Sequence, residues 1–216
     1  MNIQISGKTA LILFAFSVST LLGCQKTEKA AQGEVLAKEK NGELWSVDTS
    51  QSHLLWTGKK ITGQHNGTVD VTSGELYFNP EGDLTSGSIS ADMRTIQNSD
   101  IQDEHSRNKI VAHLKNPDFF DVENYPSATI EITGIQTLTG NKTKVDANLT
   151  IRGITNPVTF EADTVSDGDT KIITATTFVD RTLWDIKYKS GKFFSELGDK
   201  LIYDEMEIGA YLVLTR

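Results

Sequence analysis

The side chains able to do chemistry in this chain are few and poorly placed for one another. His65 stands between Gly63 and Gly67 with Asp70 close behind, the residue types from which a general base is built. No serine or cysteine nucleophile sits in a recognisable elbow beside them, so the pair has nothing to activate. Asp103, Glu104, His105 and His113 imitate a metal cluster. On a helix, however, residues with the spacing of His105 and His113 share a face while standing about 12 Å apart by rise per residue. A His-x₃-His metal spacing is absent, as is a Gly-x-Gly phosphate loop. The cluster reads as a solvated helix face, and His65 as a turn or strand-end residue. The sequence therefore points away from an enzyme, a metal centre or a resident cofactor.

The one cysteine tells more. Cys24 ends Leu21-Leu22-Gly23-Cys24 behind an apolar run from Ala10 to Leu22, with Lys8 before it. The run is too short and wrongly flanked for a spanning helix and reads as a signal peptide over 1–23. The Leu-x-Gly-Cys ending resembles the lipobox of bacterial lipoproteins. It implies that the thiol carries lipid (palmitate among the acyl chains) and that Cys24 becomes the mature N-terminus. One acyl chain binds a membrane only reversibly, whereas two or three hold permanently. Residues 24–43 lack apolar periodicity and read as a flexible tether, with at most some helix around Glu34 to Lys40. The expectation is an exported protein held by lipid in the bacterial cell envelope, facing the periplasm or on the outer membrane.

The remaining segment, 44–216, is one domain's worth of chain. The whole sequence carries a net charge of −8, and loss of residues 1–23 removes one more lysine, leaving −9. That balance argues against nucleic acid, and against an anionic membrane surface, as partner. With Cys24 committed to lipid, no disulfide is available, and stability must come from an apolar core.

The elements that must build this core are strands. Val145, Ala147, Leu149 and Ile151 alternate with Lys144, Asp146, Asn148 and Thr150. The same period of two runs through 128–133, 158–162 and 206–214, and strands are read at 45–49, 53–61, 67–72, 74–79, 85–94 and 170–180. Turns fall at 79–83, at Gly140-Asn141 and at 166–169. One helix is expected over 103–115, ended by Asn116-Pro117, with a second short helical turn near Phe193–Leu197. Eight or more strands with so little helix to cover them must form a closed barrel or a sandwich, an all-β fold.

Several segments together identify a family. Trp56-Thr-Gly-Lys-Lys-Ile-Thr-Gly-Gln-His65-Asn-Gly67 is followed by Gly74-Glu-Leu76, then by Leu114-Lys-Asn-Pro-Asp-Phe119-Phe120-Asp121-Val122 with Tyr125-Pro126. Asn148-Leu-Thr-Ile-Arg152-Gly153-Ile-Thr155-Asn-Pro-Val-Thr-Phe160 completes the set. In this order the motifs resemble the YceI-like family of exported lipid-binding proteins, over essentially all of 45–216. The commoner form of that family carries Arg-Asp-x-His-Leu before the helix, where this chain has Asp103-Glu104-His105-Ser106-Arg107. The resemblance implies a lipocalin-like antiparallel β-barrel of about eight strands holding a long isoprenoid or another amphiphile.

A barrel of about eight strands is just wide enough to be filled by side chains or to hold one slender ligand. Trp56, Phe78, Met93, Phe119, Phe120, Phe160, Phe178 and Trp184 are the large apolar residues expected to face such an interior. Phe119 and Phe120 are adjacent, so one should enter the core while the other packs under the preceding helix near the barrel's entrance. Two functions remain open. One is a tethered carrier or buffer for a lipophilic molecule such as an isoprenoid quinone, polyprenyl phosphate or fatty amide. The other is a structural or interaction protein of the envelope with a filled barrel. Homodimerisation is left open by the sequence.

Overall fold

The computed structural model describes residues 42–216, so Cys24, the segment 1–23 read as a signal peptide and all but the last two residues of the segment 24–43 read as a tether lie outside the described residues. The chain builds β1 (Glu43–Val47), β2 (His53–Lys60), β3 (Gly63–Phe78), β4 (Leu84–Asn98), α1 (Glu104–Lys115), β5 (Ser127–Thr137), β6 (Lys142–Ile151), β7 (Ile154–Asp167), β8 (Thr170–Asp180) and β9 (Ile202–Thr215). The strands pair antiparallel in the order β1-β3-β2-β9-β8-β7-β6-β5-β4, and β3–β4 and β1–β9 contacts close the sheet on itself.

The closed barrel has eight strand positions because β1 and β2 share one. β1 lies against the end of β3 and against Leu214–Thr215, while β2 lies against the start of β3 and Ile202–Tyr211. The chain breaks between them where Asp48 gathers the Ser50 amide and hydroxyl and the Gln51 side chain. The Ser52 hydroxyl then accepts from the Val213 amide at 2.9 Å, replacing the interrupted ladder bond. Every pairing that closes the barrel lies within residues 43–215, so this segment holds its own complete sheet and core and folds as a unit.

Local chemistry explains most element boundaries. Inward Thr143, Val145, Ala147, Leu149 and Ile151 are buried along β6, as the alternation requires. Arg152 and Gly153 both take positive φ, 50° and 69°, giving the two-residue turn that matches sheet twist and joins β6 to β7. The segments 67–72 and 74–79, read as two strands, are one continuous strand. Its register against β4 shifts at Thr68/Asp70, Val71/Ser73 and Tyr77/Phe78, and these bulges interrupt the alternation.

Asp103 caps α1 by accepting from the Ser106 amide at 2.8 Å. The helical turn expected near Phe193–Leu197 does not form, since Glu196 sits at φ 59° in the left-handed region; a 3₁₀ turn starts only at Gly198. A second 3₁₀ turn, Arg181–Trp184, had no periodic signal.

The core has two ends. Trp56, Met93, Ile96, Leu114, Phe120, Val122, Trp184, Ile186 and Met206 pack beneath α1. Trp45, Val71, Leu76, Phe78, Leu84, Val145, Leu212 and Leu214 pack at the opposite end.

Candidate functional site

A cavity of about 110 Å³ occupies the barrel interior, walled by Leu54, Ile89, Ile130, Leu149, Val158, Phe160, Ile208 and their neighbours. No ionisable side chain lines it; its polar contributions come from threonines and backbone. Such a space holds no water stably, because water needs two to four polar partners. The hollow has a specific origin. Ala162, Ala175 and Ala210 stand side by side on β7, β8 and β9 in one cross-strand row and all line the cavity. Short side chains in one girdle leave room that leucines would fill.

The sequence-selected side chains divide around this space. Phe160 lines the cavity itself. Met93, Phe120 and Trp184 belong to the cluster beneath α1, where the Trp184 indole donates to the Leu149 carbonyl at 3.1 Å. Trp56 joins them and donates to the Gln97 carbonyl at 3.0 Å. That bond requires glycine at 67, since a Cβ there would fall 1.8 Å from the Gln97 oxygen. Phe78 caps the far end, edge-on to Trp45 at 6.1 Å, with Lys171 Nζ 4.8 Å from its ring.

Phe178 corrects the sequence expectation. It is 55% exposed on the outside of the barrel, because the inward phase of β8 runs through Ile173 and Val179. The hydrophobicity of a single ring does not reveal which phase it occupies.

A wider chamber of about 320 Å³ opens at the α1 end, lined by Trp56, Lys59, Lys60, His65, His113, Phe119, Tyr188, Lys189, Asp199 and Lys200 among others. Phe120 turns into the core, whereas Phe119 faces this chamber, 5.0 Å from the His113 ring and 5.4 Å from Tyr188. His113 is thus half-buried among aromatic rings, not part of a solvated face, whereas Asp103, Glu104 and His105 are exposed as expected. The cluster beneath α1 shares Leu149, Ala91 and Ala128 with the cavity wall and Trp56 and Leu114 with the chamber, so it stands between the two spaces.

His65 finds its carboxylate in Asp100 at 2.8 Å, not in Asp70. Asp100 also accepts from the Asn66 amide and the Asn98 side chain. Burial pushes the Asp100 carboxyl up, but the Asn66, His65 and Asn98 donors outweigh it and leave its pKa below the ordinary value. The unfolded chain therefore binds a proton here before the folded one does. This contribution to stability is complete above the ordinary carboxylate pKa, about 3.9, and is lost as pH falls through the depressed folded value. Asp100→Asn should be less stable than the parent at neutral pH, with the gap narrowing on acidification. Thermal unfolding followed from pH 7 to pH 3 checks this; a constant gap would refute it.

Two arginines missed in the sequence fix the chamber's walls. Arg152 donates to the Phe119 carbonyl at 2.7 Å and reaches the Asp185 carbonyl at 3.3 Å. Arg181, only 3% exposed, donates to the carbonyls of Ile186, Tyr203 and Ile202 and lies 3.4 Å from Asp204. Burial lowers the Arg181 pKa, opposed by Asp204 and Asp180. A guanidinium nonetheless stays charged, and its fork gathers three backbone oxygens at once. Nothing in the sequence distinguishes Arg181 from a surface arginine, and Arg152, although it stands in the Asn148–Phe160 motif, gives no sign there of its carbonyl partners.

Comparison with known proteins agrees with this geometry. The family model described as a YceI-like domain matches residues 45–214. Protein YceI of Salmonella arizonae is 34% identical over 161 residues, covering 73% of this chain and 74% of the relative. Among solved structures, Burkholderia cenocepacia BcnA superposes with a TM-score of 0.63 at 23% identity, covering 77% of this chain and 98% of that one. A polyisoprenoid binding domain from Saccharophagus degradans superposes with a TM-score of 0.55 at 12% identity, covering 79% and 97%. At these identities the structural likenesses speak for the fold, and the family match over most of the chain for descent: this protein belongs to the YceI-like domain family.

Proposed function

We propose that the barrel holds one slender apolar chain and that the protein is an envelope carrier or buffer for such a molecule, acting by binding and not by catalysis. The observation that carries this reading is the girdle of Ala162, Ala175 and Ala210 around a cavity with no ionisable lining residue. A hollow sacrifices packing, since lining atoms lose contacts they would otherwise make. A hydrocarbon cargo restores them. The kinship in fold with a polyisoprenoid binding domain supports an isoprenoid or fatty chain, such as that of a quinone, a polyprenyl phosphate or a fatty amide. Mass spectrometry of an organic extract of the native protein tests the proposal directly. A single lipophilic species near one per barrel is expected, and an empty extract would favour the filled-barrel interaction protein instead.

The same reading places the protein on a membrane through lipid on Cys24. Cys24→Ser should move the protein from the membrane fraction to the soluble fraction or stall its processing. A variant that still fractionates with membranes after alkaline washing would remove the anchor from the proposal.

A further inference from the structure

The connections of the barrel differ sharply between its two ends. At the far end, β3–β4, β5–β6 and β7–β8 are joined by short turns bearing Glu81, Asp83, Asp167 and Asp169. At the α1 end, most connections present an exposed apolar side chain in or next to them. Ile61 lies between β2 and β3, Tyr125 between α1 and β5, and Ile154 after the β6–β7 turn. Leu183, Phe193, Phe194 and Tyr203 follow β8. These seven make up most of the eleven large exposed apolar side chains among the described residues. Phe193 and Phe194 are adjacent and 50% and 49% exposed, an arrangement that leaves two rings half in solvent.

Charge is equally uneven. Residues 42–216 hold sixteen lysines and arginines against twenty-six acids, yet the connections of the α1 end (59–62, 99–126, 152–154 and 181–201) hold eleven bases, the buried Arg181 among them, against nine acids. The chamber lining carries four lysines and two histidines against Asp199 alone. Lys187 stands 5.1 Å from the Phe193 ring and Lys189 4.9 Å from the Tyr188 ring. Rings set among lysines in this way match the boundary between acyl chains and anionic headgroups, where the ring enters and the ammonium stays at the phosphates. The net charge, which argued against an anionic membrane surface as partner, averages over a molecule whose two ends differ.

We propose that the α1 end of the barrel is a docking face for an anionic phospholipid bilayer, with Phe193 and Phe194 inserted and the surrounding lysines on the headgroups. The proposal rests on the carrier reading in one respect: it sets the chamber mouth against the source of the cargo. Docking would bring the Phe119 side of the cluster beneath α1 onto the membrane, where an apolar chain can pass inward without crossing water.

The test uses residues 42–216, which lack Cys24 and so carry no lipid. The domain should float with vesicles of phosphatidylglycerol and phosphatidylcholine. It should bind at least roughly tenfold more weakly to phosphatidylcholine alone, or to the anionic vesicles in 1 M salt, where the screening length is only about 3 Å. The double variant Phe193→Ser, Phe194→Ser should lose about tenfold in binding to anionic vesicles while keeping its melting temperature, since both rings are half-exposed. Absence of flotation with anionic vesicles, or binding unchanged in the double variant, overturns the proposal. Cargo in the extract of the same variant is read separately, so a failure of docking and a failure of the carrier reading are distinguishable.

Discussion

Replacing Ala175 and Ala210 together by leucine is expected to reduce extractable cargo at least tenfold and leave the barrel folded. The two residues are register partners on β8 and β9, and both line the cavity. Leucine side chains there project into space that is empty of protein atoms. The added methylenes gain burial worth roughly 0.8 kcal/mol each. Against that stands an overpacking cost of about 1–3 kcal/mol wherever the fit is imperfect. The two effects oppose one another, so the melting temperature should move by only a few degrees, in either direction. Cargo has no such compensation, because the added groups take its place. Thr174→Leu, on the outward face of β8, is the matched control and should keep its cargo. Full occupancy in the double leucine variant would show that the cargo lies elsewhere and would remove the cavity from the functional reading.

The second large effect is on stability. Arg181→Met should destabilise the domain by about 3–5 kcal/mol, the usual consequence of removing one side of a buried charged network. Methionine fills much of the volume but takes away the bonds that the guanidinium gives to the carbonyls of Ile186, Ile202 and Tyr203. For a domain of this size the melting temperature should drop by roughly 10 °C. Lys192 remains near Asp180 and Asp204, so the acids at this end are not wholly abandoned. The loss should therefore centre on the segment 181–202, with hydrogen exchange rising there before the β5–β6–β7 ladder opens. A variant within 2 °C of the parent would show that Arg181 is not what holds the chamber wall.

The barrel was legible in the sequence because period-two alternation is a local signal, and β8 matches its expected range of 170–180 residue for residue. What escaped was information carried by tertiary position. The large rings drew attention as lining groups, yet most of them close the ends, and the space is made by alanines. An alanine in a strand looks alike whether it borders a hollow or touches a neighbour's large side chain. Its meaning appears only when Ala162, Ala175 and Ala210 fall into register across three strands. Arg152 and Arg181 escaped for a related reason, since their partners are backbone carbonyls brought in by loops with no periodicity. The three bulges in β3 likewise broke a pattern that presumes a uniform strand.

The place of β9 has a kinetic consequence. It lies between β8 and the β1–β2 position, pairing His53 with Tyr211 on one side and Ile173 with Leu212 on the other. Until Ile202–Thr215 is available, β2 and β8 remain open edges with unpaired amides and carbonyls, and no earlier stretch of chain can close the ring. Closure joins the first strands to the last, the kind of distant pairing that slows folding. A chain cut short before Ile202 would expose both edges to other chains and aggregate. A chain that carries β9 reaches its native state only once that strand is free to pair on both sides.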